Sequence, residues 1–338
     1  MNHCRNRRTG IADPHPAKLI AILTALLVVP MAQADGGVFE INQTCAVNGG
    51  CFVGDDPGFP VEITKSGSYV LTGNLAPPAD MDGIQITVDN VSIDLGGFSV
   101  QGEVECNGTP VTGCNDTDFS VGINGVTASG VSVSDGVVSG HPGFGITLGT
   151  RAFVAGVRAS GNAADGVAVD EESLVRNVIA RRNGETGIDA MSGSRIIDSI
   201  GYGNTVNGLS TGVNGIISGS VGNENGGNGI GAGSNSKVLD STANLNSANG
   251  VQVQSGGLLR GVTASENGQR GAYLFNSRSN VANSSFIDNT GFGIECEFGD
   301  SSAIRDVILD LNNSGGDQFG GTCLSVGATL CSGDQTCP

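Results

Sequence analysis

Two groups of side chains in this chain have the types and spacing to do chemistry. Gln252, Gln254, Arg270, Tyr273, Phe275, Glu295 and Glu297 fall in one region and alternate with apolar residues. Rings beside amides and carboxylates suit stacking on a sugar and recognition of its hydroxyls. Glu295 and Glu297 would lie about 7 Å apart on one face of a strand, a separation that matches the carboxylate pair of an inverting glycosidase. The second group is acidic: Asp170, Glu171, Glu172 and Asp189. It could hold a hard cation such as calcium or share a proton for acid–base work. The bland alternatives are a solvated acidic face for the second group, and rings covered by a loop or the C-terminal tail for the first. A lyase reaction would also need a basic partner, for which Arg270 and Arg181/Arg182 are the candidates.

The remaining inventory excludes much. Beyond residue 34 the only histidine is His141 and the only lysines are Lys65 and Lys237, so a histidine-rich zinc site is impossible and a Ser-His-Asp triad would have to use His141. No glycine-rich loop ends in Gly-Lys-Ser/Thr, the phosphate cradle of nucleotide-binding enzymes.

The elements that position these residues follow from a repeat. The chain has 56 glycines in 338 residues, no tryptophan and 4% aromatics, a composition that suits neither a helical bundle nor an aromatic-cored sandwich. Gly145, Gly166, Gly187, Gly208, Gly229, Gly250 and Gly271 recur at intervals of 21, with Gly122 and Gly293 displaced by 23 and 22. Four residues before these glycines stands Asn162, Asn183, Asn204, Asn225, Asn246, Asn267 or Asn289, and His141 occupies the same column one coil earlier. Six residues before each asparagine lies Gly156, Asn177, Asp198, Gly219, Asp240, Gly261 or Asn283, types that tolerate a left-handed bend. After each glycine, apolar and polar residues alternate as in a strand with one buried face. Coils of this kind, stacked ~4.8 Å apart, make a parallel β-helix. A buried asparagine can donate to and accept from its equivalents above and below, so the column reads as a structural ladder with His141 as its cap. Marker glycines from Gly83 to Gly293 predict ten coils, with an insertion at about 102–119 that holds Cys106 and Cys114.

Arg5, Arg7, Arg8 and Lys18 precede the apolar run Leu19–Val29 and then Ala32-Gln33-Ala34, the order of a secretory signal peptide over 1–34. The run is shorter than a bilayer span, and no later stretch qualifies, so no membrane span is expected in the mature chain. Residues 35–338 carry 12 basic against 32 acidic residues, a net charge of −20, which repels nucleic acid and anionic membranes. With Cys4 removed, eight cysteines remain, an even number for an oxidising compartment. Close spacing pairs Cys45 with Cys51 and Cys106 with Cys114. Cys296, Cys323, Cys331 and Cys337 allow three pairings, of which 296 with 323 and 331 with 337 is preferred.

Ile63-Thr64-Lys65-Ser66-Gly67-Ser68-Tyr69-Val70-Leu71, followed by Gly83-Ile84-Gln85-Ile86 and Asn90-Val91-Ser92-Ile93-Asp94-Leu95-Gly96-Gly97, resembles the entry to secreted right-handed parallel β-helix proteins of the pectate-lyase-like superfamily. The resemblance covers roughly residues 40–316 and implies right-handed winding, with sugar bound on the outward face of the first strand of each coil. The superfamily's hydrolases resemble one another in an Asn-Thr-Asp, an Asp-Asp and a Gly-His-Gly. Here Asp55-Asp56 sits in the entry segment and Gly140-His141-Pro142 departs from the last pattern, so no catalytic residue carries over.

The expectation is an all-β, right-handed parallel β-helix over 76–316, with an N-terminal cap at 35–75 and a disulfide-rich tail at 317–338. It would be secreted or periplasmic and would bind, and could process, an extracellular polysaccharide. The alternative is a non-catalytic surface rod that contacts other proteins. The sequence fixes no cofactor, calcium being the one candidate.

Overall fold

The computed structural model of the chain describes residues 37–115, 118–276, 278–297 and 302–331. The expected signal peptide and Cys337 lie outside the described residues. Among the described residues no helix is long and apolar enough to cross a membrane.

Each repeat folds as one coil. A three-residue strand such as Ile188–Ala190 follows the marker glycine, with its first and third side chains buried and its second turned outward. Ile146, Val167, Ile188, Leu209, Ile230 and Val251 stack in the first position with no exposed surface. Twelve such strands, from Val61–Ile63 to Phe319–Gly321, make one sheet. Its register never slips between coils: Ala168 lies opposite Asp189, which lies opposite Ser210. The rest of the coil, two short strands such as Leu174–Arg176 and Ile179–Arg181 or one longer strand such as Phe153–Ser160, joins a nineteen-stranded sheet that closes the remaining sides. Between them Asn177, Asp198, Asp240 and Asn283 take φ of 48–52°, the left-handed bend their residue types predict.

The architecture is therefore the expected parallel β-helix, with a corrected coil count. The glycine column gives ten, whereas the sheet has twelve strands. Pro60 precedes the first strand and Gln318 the last, so neither end carries the marker. The marker exists for a steric reason. A Cβ on Gly166 would stand 2.6 Å from Asn183 Nδ2 and 2.7 Å from Gly187 O, and Gly208 meets the same obstruction from Asn225.

That obstruction is the ladder itself. Each asparagine Nδ2 donates to Oδ1 of the next coil's asparagine, from Asn162 through Asn183, Asn204, Asn225, Asn246 and Asn267 to Asn289, at 2.8–3.0 Å. His141 caps it as expected: its backbone N–H donates to Asn162 Oδ1, and its ring lies 3.2 Å from Val100 O. Burial lowers the His141 pKa to about 4, against the opposing effects of Val100 and Asp82. The ladder runs on past the sequence expectation to Asn312 and ends on Gln318. Buried serines make similar columns at the other bends: Ser173 N–H donates to Ser194, and Ser199 N–H to Ser220. Where Thr211 or Val253 intrudes on the first of these columns, glycine replaces serine. A Cβ on Gly215 would collide with Thr211 Oγ1, and one on Gly257 would meet Val253 at 3.0 Å.

Disulfides pin the ends and the insertion. Cys45–Cys51 staples the capping helix Gln43–Asn48, and Cys296–Cys323 ties the penultimate strand of the twelve to the chain after the last. The insertion is an antiparallel hairpin, Cys106–Gly108 with Val111–Cys114, closed by Cys106–Cys114. These are the preferred pairings; the last involves Cys337, outside the described residues.

Removing a rung should be costly, because its neighbours lose buried partners. Asn204→Ala strands the Asn183 backbone N–H, takes one of the two acceptors from the Asn183 Nδ2 and removes the donor that reaches Ala180 O. The expected loss is on the order of 2–3 kcal/mol, read as a lower urea midpoint at unchanged slope.

Candidate functional site

The second residue of each face strand forms one outward column, and the candidate groups lie along it. Ala168, Asp189, Ser210, Gly231, Gln252, Tyr273 and Glu295 follow one another across adjacent strands. Beside it runs a second polar column, one residue before each marker glycine: Asp165, Thr186, Asn207, Asn228, Asn249 and Arg270. Its members bond coil to coil. Thr186 N–H donates to Asp165, Asn228 N–H to Asn207, Asn249 N–H to Asn228 and Arg270 N–H to Asn249. Sequence reasoning missed this column, although its period of 21 and its polarity were the signal that could have found it.

The acidic end differs from the expected cluster. Among the described residues no group of three or more His, Cys, Asp or Glu gathers as metal ligands, and Asp170, Glu171, Glu172 and Asp189 are not brought together as one such set. Asp170 follows its strand, and Glu171 and Glu172 are exposed in the turn beyond, with Glu172 at a φ of 60°. The carboxylate that keeps company with Asp189 is Asp165. Burial pushes the Asp165 pKa up to about 7, with Asp189 and Glu185 adding to the rise and the hydrogen bond from Thr186 opposing it. Burial raises Asp189 too, against a hydrogen bond from Ser210. The two carboxyls thus lie in adjacent coils, and burial biases both toward the protonated form.

The aromatic end is held by charge. Arg270 is ion-paired with Glu295 through Nε and Oε2, and its guanidinium carbon sits 4.5 Å from the Tyr273 ring centroid. Tyr273 and Phe275 rings lie 6.0 Å apart at 60°. Glu297 accepts the backbone N–H of Asn276 at 2.7 Å. Glu295 and Glu297 are thus engaged by different partners.

Between the two ends lies open space. A groove of about 300 Å³ is lined by residues that include Ser192, Asn207, Ser210, Asn228, Gln252 and Gln254, with Gly231 at its floor. A Cβ on Gly231 would meet nothing nearer than Asn207 Nδ2 at 3.8 Å. Asn228 Nδ2 donates to Gln252 Oε1 at 3.4 Å and Ser234 Oγ to Gln254 Oε1 at 3.4 Å, which orients both amides along the groove. From Asp189 to Tyr273 is four coils, about 19 Å at the strand spacing. Arg181 and Arg182 do not reach this face: Arg181 ends a strand of the other sheet. That leaves Arg270 as the face's arginine. Asp55 accepts backbone N–H groups of Cys51 and Glu62, a structural duty.

No protein-family model matches the chain, and no curated protein matches its sequence. Solved structures do match. A double mutant of the periplasmic alginate epimerase AlgG aligns at 15% identity over 80% of this chain and 76% of that one, with a TM-score of 0.57. Geobacillus virus E2 ORF18 aligns at 10% identity over 80% of this chain and 55% of that one, TM-score 0.54. The A-module of an Azotobacter vinelandii mannuronan C-5 epimerase covers 90% of both chains at 14% identity, with a TM-score of 0.43. At these identities the likeness is one of fold. The chain is a right-handed parallel β-helix protein with a polar groove along one face.

The raised Asp165 pKa carries a sign. A buried carboxyl that holds its proton in the folded state but not in the unfolded one contributes most stability at low pH. It loses that contribution as pH rises from about 4 through about 7. Asp165→Asn keeps the acceptor for Thr186 and removes the charge. It should match the parent's stability at pH 4 and exceed it at pH 8 by on the order of 2 kcal/mol after discounting for partial solvation, seen as a higher melting temperature. Thermal melts across that range read the divergence.

Proposed function

We propose that the protein binds a polysaccharide chain along the outward column of the twelve-stranded sheet and acts on it with Asp189 and Asp165 as proton donor. The observation that carries this is the groove between Asp189 and Tyr273, floored by Gly231 and walled by amides and hydroxyls. A flat, repeating polar strip with rings at one end fits an extended chain of sugars, each face of which is apolar and each edge polar. A carboxyl kept protonated near neutral pH can donate to a glycosidic oxygen or return a proton to a ring carbon. In support, a neighbour of the same fold is by name a periplasmic alginate epimerase, and three disulfides among the described residues suit a periplasmic or extracellular address.

A rod that binds without turnover is the second reading. It draws on the pairing of Arg270 with Glu295, which spends on structure the charges a catalyst would leave available. Among the described residues Phe319–Gly321 continues the sheet as its last strand, with Gly320 opposite Glu295, which supports an accessible face in either case.

Gly231→Tyr fills the groove without disturbing the backbone, so it should abolish binding to whichever member of a polysaccharide panel the parent retains, at unchanged melting temperature. Tyr273→Ala with Phe275→Ala should weaken the same binding about tenfold, the loss of one stacked sugar. New reducing ends or ultraviolet-absorbing unsaturated products that vanish in Asp189→Asn establish the acid role. Retained binding with no change in the glycan establishes the rod, and binding unaffected by Gly231→Tyr removes the groove from both readings.

A further inference from the structure

The disulfide hairpin encloses a second cavity, away from the groove. It reaches across the coils at three points: Val111 N–H donates to Gly203 O at 3.0 Å, Thr205 Oγ1 to Val111 O at 3.1 Å, and Arg182 Nη2 to Cys106 O at 3.3 Å. Beneath it a pocket of about 470 Å³ is bounded by Glu105, Cys106 and Asn107 on the hairpin side and by Ser160, Gly161, Arg181 and Arg182 on the coil side. No heavy atom lies within 4 Å of where a Gly161 Cβ would stand, so the space continues over the coil.

The charge of this pocket is out of character for the molecule. In a chain of 12 basic and 32 acidic residues beyond position 34, two adjacent arginines line one cavity. Glu105 is the single carboxylate in its lining, yet among the described residues it forms no ion pair with either arginine, the Arg270–Glu295 pair being the salt bridge found. The long-range repulsion of the acidic surface decays over roughly 8 Å at physiological salt, so a small anion at the pocket mouth responds to the arginines in front of it. A long polyanion would also meet the acidic surroundings.

We propose that this pocket is a binding site for the oxyanion of a charged sugar residue, a carboxylate or a sulfate. Arg181 and Arg182 take the anion, and Ser160 and Asn107 supply hydrogen bonds to ring hydroxyls. Guanidinium forks suit planar and tetrahedral oxyanions through paired N–H donors, and the volume accommodates one ring with its substituent. Arg182 is already oriented by its bond to Cys106 O, so the Cys106–Cys114 closure preorganises the site.

Calorimetric titration of the full chain tests this with inorganic sulfate, a sulfated disaccharide, a disaccharide bearing a carboxylate, and their neutral parent. The charged probes should bind and the neutral parent should not. Whichever charged disaccharide binds tighter names the anion, and tight binding of either supports the site. Arg181→Gln with Arg182→Gln should weaken binding at least ~10-fold. Arg181→Gln alone, which spares the hairpin hydrogen bond, should account for several-fold of that loss. Arg158→Gln, an exposed arginine outside this pocket, should bind as the parent does, and so should Gly231→Tyr, which separates this site from the groove. Opening the hairpin with Cys106→Ser and Cys114→Ser should produce a loss like that of the arginine pair. The proposal is overturned if no charged probe binds the parent, if the double glutamine variant binds with parental affinity, or if opening the hairpin leaves binding unchanged.

Discussion

A chain that winds around a narrow lumen must bury the turns between its strands, and a buried turn leaves amide groups without water. The asparagine ladder meets that constraint. Asn204 shows the pattern: its backbone N–H and its Nδ2 both donate to Asn225 Oδ1 on the next coil, and Nδ2 also reaches back to Ala180 O on the preceding one. Much else is subordinate to this geometry. Glycine precedes the face strands from Ile146–Leu148 to Ile294–Cys296 because an asparagine amide occupies the place of a Cβ, and the coil length stays at 21 across most of the helix because an amide can stack only on an amide at the same position.

Register then becomes function's raw material. Because every coil repeats the same path, the second residue of each face strand faces outward at the spacing of adjacent strands, and the residue before the marker glycine flanks it. A strip of hydrogen-bonding side chains results without any loop to arrange it. Small residues at Ser210 and Gly231 open the strip into a groove, and large ones at Gln252 and Tyr273 close one end. Burial, more than any neighbouring charge, governs the proton affinity of Asp165 and Asp189.

The two arginine-bearing regions illustrate how an acidic protein uses scarce cations. Arg270 is tied to Glu295 and laid over Tyr273, so it stiffens the aromatic end. Arg181 and Arg182 stand on the other sheet's side, where the hairpin passes over them. Neighbours in composition, these arginines differ in role because of what the chain brings against them.

Periodicity made the scaffold readable from residues alone. The glycine and asparagine columns, the left-handed bends at Asn177 and Asp198, the outward alternation of Gln252 and Tyr273, and the short-range cysteine pairs all follow from a rule in which sequence spacing equals spatial neighbourhood. Only tertiary structure decided the burial of Asp165 and Asp189, the capture of Glu295 by Arg270, the dispersal of Glu171 and Glu172 into a turn, and the closure of a hairpin over Arg181 and Arg182. Those outcomes depend on the direction in which a side chain leaves a bend and on an insertion that breaks the period. Neither is encoded in a 21-residue count.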